Sequence, residues 1–392
     1  MNRTIHNRSG NSVITALCSI IFLSFSFVWL YKGEGEALRC LHYTLSGGMT
    51  TYSPLCGALI ITVLLWLLQW GLNMLMRFAR SLSALAFFPA YLILALLSCI
   101  NPDTSGADTS HFAVSIDKVY LWGGGLFFIF YLIAGFFNRK LQNRANREKK
   151  QNVLIPNVLI LIVFTYITGV VGNTNEVFHN ELAVAQAIRE GDFDKALQKG
   201  IKSPHHSRTL TALRALALSH THTLGEKLFA YPQTEGAEGL FLDEADGAVS
   251  MVTNDDICNH LGAHPKMAGE TVMTYLDRMC RADSASHEAR EYYLCALLLE
   301  KELDIFQQAL PLHYRETDKS LPRHYQEALL LKDSAGEMLV TDPTVRSRFG
   351  EFMALRDQYP DPVVQNNHIR RQFGDTYWWY YYYYGGKEVT GL

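Results

Sequence analysis

Four histidines have the types and spacing to do chemistry: His205 and His206 as an adjacent pair, then His220 and His222 two apart. Imidazole nitrogens bind zinc or copper, but two ligands on one helix normally sit four apart, so that both rings face one ion. A spacing of two turns the rings away from each other unless they lie in a loop. Exposed turn histidines are therefore the expected setting, with a metal as the weaker reading. A second group is acidic: Glu235, Glu238, Asp243, Glu244, Asp246, Asp255 and Asp256, all within 233–265. Calcium would need oxygen ligands at alternate positions closed by a Glu, and LDEADGAVSMVT lacks that Glu. Paired carboxylates also serve glycoside hydrolysis, which demands a set separation. A solvated acidic loop is the expectation. A third group, Glu34 and Glu36 in KGEGEALRC, lies where many membrane glycosyltransferases carry acids in a first outer loop, but two Glu in a polar loop and so few spans favour a plain membrane anchor. GxSxG, GxxxxGK[ST], HExxH and GxGxxG after a strand are all absent, so no cofactor is expected.

The fourth feature is FGDTYWWYYYYYGG, residues 373–386, with eight consecutive aromatic side chains from Tyr377 to Tyr384. Asp375 or Thr376 suits a helix N-cap and Gly385 with Gly386 suits its end. In such a helix Trp378, Tyr381 and Tyr382 share a face, with Trp379 and Tyr383 beside it. Three roles are open: a lid over the last groove of a helical domain, a partner-docking surface built on Tyr377, Trp378, Trp379, Tyr381 and Tyr382, or a contact with lipid headgroups.

The elements that position these groups divide the chain in two. Residues 1–172 carry 13 Lys and Arg against 6 Asp and Glu, and residues 173–392 carry 22 against 32. Long apolar runs fill the first part and stop after Gly172. Spanning a bilayer takes about 20 mainly apolar residues, and five stretches qualify: about 13–31, 54–76, 82–100, 117–137 and 153–172. Arg3 and Arg8, Arg77 and Arg80, and the basic loop from Arg139 to Lys150 alternate with loops poorer in positive charge. Positive residues mark the cytoplasmic side, which places the N-terminus inside and residues 173–392 outside, in the periplasm of a Gram-negative cell. The spans hold almost no ionisable groups, which argues against coupled transport. A soluble part of charge −10 argues against nucleic-acid binding. Cys40 and Cys56 flank the first outer loop and could pair. The absence of any CxxC leaves a zinc ribbon or thioredoxin-like site without support.

In the acidic part, apolar residues at Leu182, Ala185 and Ile188 form one helical stripe, Gly191 and Asp192 interrupt it, and Phe193, Ala196 and Leu197 begin another. This predicts a helical hairpin, and its GDFDKAL segment resembles the turn of a tetratricopeptide repeat. Further helices are expected over 209–232, 268–280, 287–314, 321–333, 345–360 and 362–374, with an irregular insertion at 233–265. The expected fold is all-α: transmembrane helices over 1–172, then an α-solenoid of tetratricopeptide-like hairpins over 173–392.

The REGDFDKAL hairpin, LFAYPQTEGAEGLF, DDICNHLGAHPKMAGE and FGDTYWWYYYYY, in that order after a membrane segment, resemble an uncharacterised family of Bacteroidetes membrane proteins. The likeness runs over about 175–384. It implies a helical envelope protein and supplies no catalytic residues. Two functions are thus expected in order of preference: a scaffold anchored in the inner membrane that binds a protein or peptide, or an envelope enzyme acting on a lipid-linked or glycan substrate.

Overall fold

The computed structural model describes residues 2–76, 78, 80–102, 112–114, 123–125, 127–129, 131–133, 154–201, 203, 205–243, 251–262, 264–267, 269–281, 285–314, 321–332, 340 and 342–384. The chain forms two compact units, Met1–Asn175 and Glu176–Leu392. Both are helical among the described residues, apart from one short strand pair in the first.

In the first unit, α1 (Asn2–Val28) runs into a π-helical turn, Trp29–Gly33, closed by Glu34 N donating to Trp29 O at 3.1 Å. The helices α2 (Gly35–Ser46) and α3 (Pro54–Met76) follow. Next comes a 3-10 stretch, Arg80–Phe87, which passes into α4 (Phe88–Leu97). Two strands, β1 (Ile100–Pro102) and β2 (Phe112–Val114), pair antiparallel with Ile100 opposite Val114. The last element is α5 (Leu154–Val171). Three helices are long and apolar enough to cross a membrane: Thr15–Gly33, Pro54–Leu75 and Leu154–Val171. The expected span at 82–100 is a shorter apolar helix, Leu82–Leu97. Its first part is wound tightly because Leu82 leaves helical geometry and Pro89 has no N–H for the ladder. Buried Asn157 compensates, accepting from Ala84 N at 2.7 Å and from Ser83 Oγ at 3.1 Å. Of the expected span at 117–137, an apolar helix is present at Gly123–Ile133, and its flanks lie outside the described residues. Beside this three-residue strand pair the described residues are helical, in keeping with the all-α expectation. No disulfide joins Cys40, which is buried, to Cys56, which is exposed.

The second unit opens with the hairpin read from GDFDKAL. Gly191, at φ +75°, ends α6 (Glu176–Arg189), a conformation glycine adopts without the Cβ clash. Asp192 then caps α7 (Phe193–Gln198) by accepting from Lys195 N at 3.0 Å. Eleven residues follow α8 (Arg208–His220) into the interior, all of its body from Thr209 to Ser219. After α9 (Leu224–Lys227), α10 (Asn254–His260) and α11 (Val272–Cys280) comes α12 (His287–Leu299), enclosed from Glu291 to Leu299. A helix apolar on every side must lie inside its domain, and α8 and α12 are the inner helices here. The remaining helices are α13 (Leu303–His313), α14 (Arg323–Leu330), α15 (Pro343–Gln358), α16 (Pro362–Phe373) and α17 (Tyr377–Tyr383). The expected helical stretch 287–314 comprises two helices, α12 and α13, separated at Lys301, whose φ is +59°.

Within 233–265, the described residues include a buried apolar set. Ala237, Leu240, Phe241, Met251, Val252, Ile257, Cys258 and Leu261 are buried there, around a 3-10 turn at Gly236–Leu240 and α10. The acids of this stretch fasten the chain: Glu238 accepts from Val272 N at 2.8 Å, Arg208 pairs with Asp243 at 3.4 Å, and Asp256 completes a capping box with Thr253. Glu244 and Asp246 lie outside the described residues. Gly236, at φ +57°, meets Glu300, whose Oε1 accepts from Ala237 N at 2.8 Å; a Cβ at 236 would sit 2.5 Å from that oxygen. Thus YPQTEGAEGLF, the motif with the densest signature, is a structural clasp.

Candidate functional site

The aromatic run forms α17, capped by Thr376, whose Oγ1 accepts from Trp379 N and donates to Phe373 O at 2.6 Å. The cap is Thr376 rather than Asp375, and Gly385 with Gly386 lies outside the described residues. Burial follows position along the axis, not one face. Tyr377 and Trp378 are 0% and 1% exposed, Trp379 and Tyr380 are also buried, and Tyr381 to Tyr384 are half-buried. The first turn is enclosed because α14, α15, α16 and Phe229 surround it. Trp378 Nε1 donates to Glu327 O at 2.8 Å, Trp379 Nε1 to Asn366 Oδ1 at 2.9 Å and Tyr380 Oη to Leu299 O at 2.7 Å. Phe352 lies 5.6 Å from Trp378 and 5.9 Å from Tyr382, and Phe229 lies 5.0 Å from Tyr377. Lys301 closes the C-terminal end, its Nζ donating to Tyr381 O and Tyr384 O at 2.9 and 2.7 Å. An ammonium on terminal helix carbonyls satisfies them and complements the dipole. Tyr377, Trp378 and Trp379 therefore present no surface to a partner; of the expected docking residues only Tyr381 and Tyr382 have an accessible edge.

Beneath this helix lies a polar core that the sequence did not announce. Glu327 is buried and accepts from Arg323 Nε at 2.7 Å, from Tyr377 N at 2.7 Å and sits 2.8 Å from His324 Nδ1. Arg323 continues to Asp375 at 3.0 Å. Burial works against ionisation of Asp375, but the hydrogen bond and charge of Arg323, with the charge of Arg348, hold it below the usual aspartate value. The Asp375–Arg323–Glu327–His324 chain resembles a relay only in composition. His324 Nε2 and Tyr377 Oη are both buried without a hydrogen-bond partner, and Phe229 stands edge-on to the imidazole at 5.0 Å. Aromatic packing rather than a nucleophile or a substrate cleft surrounds the histidine, so the network serves to lock α14 to α17. The visible signal was the i, i+4 pair in RHYQE; its burial was not visible.

The four expected histidines do not converge. His205 and His206 are exposed, while His220 stacks between Phe193 at 4.1 Å and His260 at 3.8 Å, and His222 faces His287 at 6.3 Å. Among the described residues, no group of three or more His, Cys, Asp or Glu is placed to hold a metal ion. Burial first, then His260 and His222, push His220 down to about 4, against the opposing charge of Glu288. An imidazole held neutral in the fold but basic when unfolded contributes stability that is full above about 6.5 and is lost as pH falls toward about 4. Glu291, raised by burial to about 7, works in the opposite sense, favouring the fold as pH falls from about 7 to 4.5. The His220 contribution is isolated by comparison with His220→Phe: between pH 7.5 and 4.5 the natural protein loses about 1–2 kcal/mol more than the variant, after allowance for partial exposure. Chemical denaturation at the two pH values checks this, and equal losses refute it.

Among the described residues of the first unit, Glu34 is a buried carboxyl. It lies just past the π-helical turn at 1% exposure, and its Oε2 is buried without a hydrogen-bond partner. Burial pushes its carboxyl up to about 8, while a hydrogen bond with Ser98 works the other way. Ser98 is itself fixed, accepting from Trp29 Nε1 at 2.7 Å and donating to Leu94 O at 2.9 Å, while its carbonyl takes Asn173 N at 2.7 Å. Its companion Glu36 pairs with Arg39 at 3.5 Å. The two acids thus differ in kind: Glu36 is an ordinary ion-paired residue of α2, and Glu34 is a buried, incompletely satisfied carboxyl of the sort that clusters at functional sites.

No curated protein and no solved structure matches the chain. The model of a family of unknown function, DUF6057, matches residues 97–273 and 266–384, well over half of the sequence. Those residues include the YPQTEGAEGLF clasp and FGDTYW with the aromatic helix. The chain belongs to DUF6057.

Proposed function

We propose that the protein is a scaffold anchored in the inner membrane, presenting a tetratricopeptide-like helical domain outside the cytoplasm to a protein or peptide partner. The observation that carries this reading is the join, in one chain, of helices apolar enough to span a bilayer with a separately compact, acidic helical unit. The capped α6–α7 hairpin favours the repeat-like reading, since a single hairpin cannot bury its apolar stripe alone. Five spans remain the preferred count: Leu82–Leu97 has six residues of 3-10 helix and ten of α-helix, about 27 Å at about 2.0 and 1.5 Å per residue, against a hydrocarbon core of about 30 Å. With the basic loops inside, the second unit is periplasmic in the Bacteroidetes envelope that the sequence resemblance implies.

The test is a reporter fused after Gly172 together with crosslinking in intact cells. An exported reporter and a reproducible protein partner on the second unit support the scaffold; cytoplasmic reporter activity overturns it. Glu34 favours a second reading, an envelope enzyme acting on a lipid-linked substrate. Glu34→Gln discriminates the two: loss of the cellular phenotype with the partner still bound selects the enzyme, and retention selects the scaffold.

A further inference from the structure

A groove of about 560 Å3 runs between α1 and α3 in the first unit. Thr15 and Ser19 line it from α1, and Trp66, Gln69, Trp70 and Asn73 from α3. Residues three and four apart share one face of a helix, so each helix presents a single stripe to the groove. The two helices carry the apolar stretches Thr15–Gly33 and Pro54–Leu75, and the groove sits at the start of the first and the end of the second. At about 1.5 Å per residue Gln69 lies about 9 Å in from Leu75, within a hydrocarbon layer of about 30 Å.

Gln69 marks this groove as a site. It lines the groove, is only 2% exposed, and its amide makes no hydrogen bond among the described residues. Thr15, Ser19 and Asn73 likewise have no side-chain hydrogen-bond partner among the described residues. A primary amide carries two donors and an acceptor, and at hydrocarbon depth no water replaces a missing partner. Polar side chains in membrane helices accordingly face one another, a bundle interior or a ligand path. Trp70, 55% exposed, leaves the groove open on its outer side. None of the described residues that line it is charged.

We propose that the groove binds an uncharged lipid with a free hydroxyl, of which diacylglycerol is the simplest kind, holding its glycerol end and the first part of its chains. A hydroxyl donates and accepts at once, which matches the N–H2 and C=O groups of Gln69 and Asn73. The chains lie against Ile20 and Leu23, which continue the groove toward the membrane centre. Trp66 and Trp70 suit the depth at which the polar and apolar parts of a lipid meet. An ionised phosphate would lose its hydration there with no cation among the described lining residues to offset it. A second copy of the chain fits less well. A helix is about 10–12 Å across, and a two-fold axis brings the same face against itself, so that groove would oppose groove and both would stay unfilled. The inference rests on the membrane placement of the first unit and holds for the scaffold or the enzyme reading alike.

The experiment uses the full chain in phosphatidylcholine nanodiscs, with labelled dioleoylglycerol as probe, its acetate ester as the control without a free hydroxyl and dioleoyl phosphatidic acid as the charged control. Carbonate extraction of the source membranes is measured first. A chain released by carbonate defeats the membrane reading itself, whereas an embedded chain without saturable probe binding defeats this inference alone. The expected result is saturable binding of dioleoylglycerol, at least tenfold weaker for the acetate and for phosphatidic acid, since a site built to hydrogen-bond a hydroxyl rejects an analogue lacking it. Gln69→Leu, which keeps the bulk of the side chain and removes the amide, is expected to weaken dioleoylglycerol by the same factor. Ala16→Trp fills the groove from α1 with Gln69 in place, and is expected to do likewise. Binding of the acetate or of phosphatidic acid as tight as that of dioleoylglycerol, or full binding by either variant, overturns the proposal. Particles that hold two copies, take up no dioleoylglycerol and fall to one copy with Gln69→Leu also overturn it, and assign the groove to a second copy.

Discussion

Glu327→Ala is expected to destabilise the second unit by about 3–5 kcal/mol, the cost of removing one partner from a buried charged network. The loss has three parts that arise together. Arg323 keeps only Asp375, His324 Nδ1 loses its acceptor inside the core, and Tyr377 N, the first amide of α17, is left unpaired. Buried donors stranded in this way cost about 1–3 kcal/mol each when nothing replaces the acceptor. Glu327→Gln retains a carbonyl oxygen for Tyr377 N and is expected to lose less than half as much. Denaturant titration of the full chain in detergent, followed by circular dichroism, measures both. Equal stability of Glu327→Ala and the natural protein would show that the network is ornamental.

The second large effect is Trp378→Ala, with an expected cost of about 3–5 kcal/mol for truncating an enclosed aromatic side chain. Trp378 is among the largest fully buried side chains and bridges Phe349, Phe352 and Phe373, so that its removal opens a void where α14, α15 and α16 meet. For a unit of this size the midpoint of thermal unfolding should fall by roughly 10 °C. Tyr382→Ala removes a half-buried ring from the same helix. It loses the stacking of Arg356, 3.9 Å from the ring centre, and is expected to cost about 1 kcal/mol. The ordering Trp378 far above Tyr382 distinguishes a core element from a docking face, for which Tyr382 would matter to binding and neither to stability.

The contrast between these two rings also marks how far the sequence could be read. Local rules carried well where backbone chemistry decides: Gly191 and Asp192 make the turn between α6 and α7, and Thr376 caps an aromatic helix. The same rules missed that the first turn of α17 is enclosed on every side, because enclosure comes from Phe229, Phe352 and Asn366, distant in sequence. Stretch 233–265 looked like a solvated loop since its apolar residues keep no single period. In the fold the described ones are spread over a 3-10 turn, its flanks and α10, each with its own geometry. Charge misled in the same region: Glu238 and Asp243 fasten Arg208 and an amide of α11, which composition alone reads as solubility. Glu34 and Glu36 were equal in sequence and became unequal only in the fold, which buries the first and leaves the second paired with Arg39.

The candidate sites follow the same division. The histidine spacing said nothing of where the rings would go, and nothing local could reveal that His220 would stack between Phe193 and His260. In the membrane-like unit, hydropathy identified the long helices, while the 3-10 winding before α4 depended on the partner Asn157 supplied by α5.

The central claim is that the aromatic helix is an internal closing element of the second unit, and hydrogen exchange at residues 377–383 in the intact, detergent-solubilised chain tests it most directly. Amides in a core helix exchange only when the surrounding unit opens, so the account predicts protection equal to that of the inner helix α12 and unchanged by added lipid or protein. Exchange within seconds in the chain alone, with protection appearing only when a membrane or partner is supplied, would contradict it.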